Sequence, residues 1–60
     1  MTKLYEDALK LAVNENLHNI RLMLDWAEEA SELKEKIRQT EQALRLLNEV
    51  AQNLRELERA

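Results

Sequence analysis

Neither glycine nor proline occurs anywhere in this 60-residue chain. At average usage of about 7% and 5%, a random chain of this length would lack both on the order of once in a thousand times. The two residues punctuate tight turns, hairpins and helix ends. A fold rich in strands and hairpins is therefore excluded, and so are glycine-rich phosphate loops. Cysteine is absent too, which removes disulfide frameworks and cysteine-based zinc sites. What remains for such a chain is all-α: helices joined by weak breaks.

The other bulk properties fit one small module spanning residues 1–60. Charged residues make up 35% of the chain, with both signs mixed and a net charge of -3, and 45% of the chain is apolar. That is too apolar for a disordered tail, and too short for a large self-sufficient core. Apolar runs fall well short of the ~20 residues of a membrane span. The opening Met1-Thr2-Lys3-Leu4 is not followed by a signal-peptide apolar region, so a cytoplasmic location is the default expectation. Charge is uneven. Residues 1–33 hold three bases against seven acids, and residues 34–60 hold six bases against five acids. This mildly favours antiparallel pairing of long helices, within the limits of salt screening.

Apolar positions recur at alternating three- and four-residue steps. From Met23 the series runs through Trp26, Ala30, Leu33, Ile37, Leu44, Leu47, Ala51 and Leu54, with one polar slip at Thr40. It exceeds four heptads, the length expected of a coiled-coil seam. These nine apolar residues are the expected interface of a self-associating chain, most simply a homodimer. A second stripe, Leu17, Ile20, Leu24 and Ala27, offers a face for an N-terminal helix or for another helical protein.

Two topologies follow. In one, a long helix over about 17–58 is joined to an N-terminal helix over 3–13, which folds back at the Asn14-Glu15-Asn16-Leu17-His18-Asn19 segment or continues the long helix. Asparagine favours caps and turns, because its side chain competes for nearby backbone groups. In the other, the chain turns near Ala30-Ser31 into two equal helices of ~28 residues, with Ser31 as N-cap. Against that turn stand Glu28 and Glu29 at the end of the first helix and Lys34 and Lys36 at the start of the second, where the helix dipole disfavours them. For it stands the flank Ala43, Val50 and Leu57, which widens the second helix's apolar face as a four-helix bundle of two hairpins requires. In either case the apolar surface exceeds what one chain can bury, so the expected state is an oligomeric bundle.

Chemistry has little to draw on. Glu15 and His18 form a single Glu-x-x-His, whereas di-metal bundles use two with further carboxylates; no metal or cofactor is expected. His18 is the sole histidine. Ser31, Thr2 and Thr40 have no base at a spacing that would activate them, so no catalytic residue and no enzyme are expected. Arg38, Arg45 and Arg59 form an outward stripe that could follow phosphates, but Glu41, Glu49 and Glu56 interrupt it, and nucleic acid is a minor expectation. In length, in Met1-Thr2-Lys3 and in Ala8, Leu9 and Ala12, the chain resembles small plasmid RNA-binding four-helix-bundle regulators. The resemblance covers a handful of positions and lacks their usual polar loop, so it assigns no family. Membrane-surface binding is disfavoured by the acidic polar face. The first expectation is thus a structural module that self-associates for oligomerisation or scaffolding. A small inhibitor or adaptor presenting 17–27 to another protein is the alternative. The sequence equally permits a designed chain or an excised piece of a longer one.

Overall fold

The computed structural model describes residues 2–59 and is a helical hairpin. Helix α1 spans Lys3–Glu29 and α2 spans Leu33–Arg59, 27 residues each. They lie side by side in an envelope of 45 × 14 × 11 Å. Of the two expected topologies, the equal-helix hairpin is the one observed. The fold-back of a 3–13 helix onto a 17–58 helix is not: α1 runs unbroken through the asparagine cluster, and the break falls at residues 30–32.

The reason lies in what each break would cost. Asparagine in a helix interior loses only tenths of a kcal/mol relative to a good helix former. A turn at 14–19 would instead divide the row Leu9, Val13 and Ile20, the three buried side chains of α1. Asn14 and Asn19 point to solvent. Asn16, on the half-buried row, donates from Nδ2 to Glu49 Oε2 across the helix pair at 3.5 Å.

At the observed turn the reversal needs no left-handed residue. Among the described residues none has a positive φ. Ala30 takes an extended conformation (φ -64°, ψ 138°), and its N–H closes the last turn of α1 on the Trp26 carbonyl at 2.9 Å. The first turn of α2 starts from the Glu32 carbonyl, which accepts from the Lys36 N–H at 3.1 Å. Glu32, rather than the expected Ser31, therefore occupies the N-cap position. At the other end, Thr2 is the N-cap of α1, its hydroxyl accepting from the Tyr5 N–H at 3.2 Å.

Lys36 resolves the electrostatic objection to this turn. α1 has no basic residue in its last turn. The Lys36 ammonium reaches back from α2 and donates to the carbonyls of Ala27 (2.9 Å) and Glu28 (3.1 Å). It satisfies two C-terminal carbonyls that a glycine-based cap would otherwise serve, and places a cation at the negative end of the helix dipole. Hydrogen bonds from charged donors contribute about 1.5–3 kcal/mol when buried; these are only partly buried, so the lower half of that range applies. Lys36→Met keeps the alkyl stem and removes the cap. It is expected to lower the thermal midpoint by about 6–18 °C, taking 1 kcal/mol as roughly 4–8 °C in a domain this small. An unchanged melt in the variant would show that the cap contributes nothing.

The core is one row of side chains between the helices. Val13, Ile20, Ala43 and Val50 form its buried cluster, with Met23 and Leu46 packed against it and Leu9 buried toward the open end. Ala43 is the least exposed residue, at 2%. Its small side chain allows close approach of the helices at mid-length. Ala43 and Val50 of the expected flank are therefore in the hairpin's own contact, and Leu57 is half-buried. Polar residues also enter this row. Gln39 Nε2 donates to Glu35 Oε1 at 2.9 Å, while Gln39 Oε1 is buried without a partner.

Candidate functional site

Rotation along α2 at about 100° per residue puts a second apolar row roughly a quarter-turn from the core row. It comprises Leu33, Ile37, Leu44, Leu47, Ala51 and Leu54, with Thr40 between Ile37 and Leu44. The expected seam is present on α2 as one continuous helix face, and the hairpin leaves it in solvent. Exposure is 76% for Leu33, 57% for Ile37, 58% for Leu44 and 49% for Leu54. Leu47 is also exposed and Ala51 half-buried.

The α1 members of the seam fare differently. Met23 packs on the core, Ala30 caps the helix, and Trp26 is half-exposed on the surface rather than central. The turn divides the nine-residue series between two antiparallel helices, so it does not form one uninterrupted stripe. The second stripe is divided as well. Ile20 is buried inside the hairpin and Ala27 half-buried, while Leu17 and Leu24 stay exposed.

Cross-helix contacts fix which residues share a face. Tyr5 pairs with Glu56 and Asn16 with Glu49, which marks one edge of the pair as polar on its α2 side. Helical rotation in the opposite sense carries both the α2 row and Leu17 and Leu24 to the other edge. The antiparallel register places Leu17 at the level of Leu46 and Leu47, and Leu24 at the level of Gln39 and Thr40. One apolar face thus runs nearly the whole length of α2, widened by two leucines from α1. Thr40 does not break it chemically. Its hydroxyl donates to the Lys36 carbonyl at 2.7 Å, so it can be covered without losing a hydrogen bond.

The polar edge carries the two groups with displaced titration. Tyr5 O–H donates to Glu56 Oε2 at 2.9 Å. That hydrogen bond, and then the charge of Glu56, raise the tyrosine pKa above its ordinary value. Glu35 is lowered, first by the Gln39 amide and then by Arg38, whose guanidinium lies 3.0 Å away, with partial desolvation opposing. A raised tyrosine pKa means that the neutral form is favoured by folding. Its contribution is complete below about pH 10, the usual tyrosine value, and is lost as pH rises through the higher folded value. The chain has one tyrosine, so tyrosinate absorbance reads it alone. The titration is expected to move down toward the free value in Glu56→Gln; an unmoved curve would remove the contact.

Other candidate groups are not brought together. Glu15 and His18 lie exposed on the outside of α1, lining a shallow dent with Asn14 and Asn19. Among the described residues no group of three or more His, Cys, Asp or Glu side chains is placed to hold a metal ion. Arg38 of the basic stripe is paired with Glu35, and Arg59 lines a second open dent with Tyr5, Arg55 and Glu56. Among the described residues no helix is long and apolar enough to cross a membrane. No protein-family model, no curated protein and no solved structure matches the chain.

Proposed function

We propose that this chain is a self-associating helical-hairpin module, whose work is oligomerisation or scaffolding rather than catalysis. The observation that carries the reading is the row of exposed leucine and isoleucine side chains along α2, on a hairpin only one helix layer thick. Stable domains pack at least two layers around a core. Among the described residues five apolar side chains are buried, and another molecule would supply the second layer.

The surface area supports the same reading. The chain exposes 4920 Å². A compact monomer of 7.1 kDa would expose about 4,100 Å². The difference reflects the elongated 45 × 14 × 11 Å shape of a single hairpin, which leaves both broad faces uncovered. An apolar face of this extent on one side of a small chain favours an association site.

Sedimentation equilibrium and concentration-dependent melting test the proposal. Self-association predicts a mass that is a multiple of 7.1 kDa and a midpoint that rises with protein concentration. A monodisperse, fully helical monomer would refute it. The competing adaptor reading draws on the exposed Leu17 and Leu24 at the edge of the same face. It predicts a monomer that is poorly helical until a helical partner is supplied.

A further inference from the structure

We infer that the partner on the α2 face is a second copy of this chain, set antiparallel about a two-fold axis that passes at Leu44. The inference rests on the self-association reading and adds to it the orientation and the register.

The row has seven positions, with Leu44 at its centre. An antiparallel pairing about Leu44 brings unlike side chains together in two of the three flanking pairs. Ile37 meets Ala51, Thr40 meets Leu47, and Leu33 meets Leu54. Bulky residues then fill the space left by small ones, which levels the volume of each layer as a well-packed interface requires. A parallel, in-register pairing stacks like on like. It would place Ala51 against Ala51, leaving a gap, and Thr40 against Thr40. The Thr40 methyl can pack on Leu47 because its hydroxyl is already bonded to the Lys36 carbonyl.

A second observation comes from α1, which had no part in choosing the axis. The antiparallel register of the hairpin puts Leu44 at the level of Asn19. Lys10 and Glu28 lie nine residues to either side of Asn19 on α1, and both are exposed. The same axis therefore brings Lys10 of one copy to the level of Glu28 of the other, twice by symmetry. Opposite charges face each other at both ends, which favours this orientation over the parallel one, where Lys10 would meet Lys10. Leu17 and Leu24 then extend the contact toward the second copy's α1.

The absence of cysteine makes disulfide trapping clean. Three single variants are needed, Ile37→Cys, Leu44→Cys and Ala51→Cys, each confirmed as helical by circular dichroism and as associated by solution mass. Two cysteines bridge only if their Cα atoms come within about 4.4–6.8 Å. In the antiparallel pair, copies of residue 37 lie about 21 Å apart along the axis at 1.5 Å per residue. The expected result is a disulfide dimer from Leu44→Cys alone, little from Ile37→Cys or Ala51→Cys alone, and efficient mixed disulfide when these last two are combined. Homodimeric bridging by Ile37→Cys and Ala51→Cys separately would overturn the antiparallel orientation. An associated protein that bridges in none of these combinations would overturn the register while leaving self-association intact. A monomeric wild-type mass would remove the self-association reading itself, and this inference with it.

Discussion

Leu44→Glu is expected to convert the protein from an associated species to a monomer at micromolar concentration. Leu44 is 58% exposed in the hairpin, so within a single chain the substitution removes little buried surface. At the centre of the proposed interface it places two carboxylates beside each other on the symmetry axis. Taking a charge out of water costs several kcal/mol even after relaxation, and the like charges repel. A loss of about 4 kcal/mol corresponds to roughly a thousandfold weaker association. Gln42→Glu adds the same charge on the exposed outer side of α2 and is expected to change neither mass nor melting appreciably. The monomeric Leu44→Glu chain is also expected to lose helix content, since a two-helix unit with so small a core is marginal alone. Equal masses for Leu44→Glu and wild type would end the interface proposal. The milder Leu44→Ala and Ile37→Ala should each cost a few kcal/mol if these side chains are buried on association.

The fold class was legible in the absence of glycine, proline and cysteine, and the helix lengths were legible in the equal-helix alternative. The position of the turn was less so, because it rests on a contact between residues nine apart on opposite sides of the break. Lys36 read in isolation counts against a turn at residue 30. Only when α2 folds back does its ammonium meet the carbonyls of Ala27 and Glu28. The periodicity of α2 was legible but ambiguous. Two apolar rows share that helix, and periodicity does not say which of them the same chain will cover. Size decides it: Ala43 and Val50 permit closer helix approach than Ile37, Leu44 and Leu47. The row of larger side chains is left outside. The asparagine cluster misled for a related reason. Local propensity of tenths of a kcal/mol competes with a core row that passes straight through it.

Ile20→Ala tests that internal row, and its expected effect is the largest of any single truncation within the hairpin. Ile20 is 5% exposed and belongs to the cluster with Val13, Ala43 and Val50. Removing its branched side chain forfeits the transfer free energy of three carbons and leaves space that two rigid helices fill poorly. Losses for such changes run about 2–5 kcal/mol, or on the order of 10–30 °C in a domain of this size. For a chain with so little buried surface, this is enough to unfold a large fraction of molecules at room temperature. Leu4→Ala supplies the contrast, because Leu4 is 82% exposed on the other side of α1 and its truncation is expected to stay within about 0.5 kcal/mol. Because folding is coupled to association, the midpoints of wild type, Leu44→Ala and Ile20→Ala are all expected to rise with total protein concentration. If Ile20→Ala melts like Leu4→Ala, the helices do not pack through the Val13, Ile20, Ala43 and Val50 row.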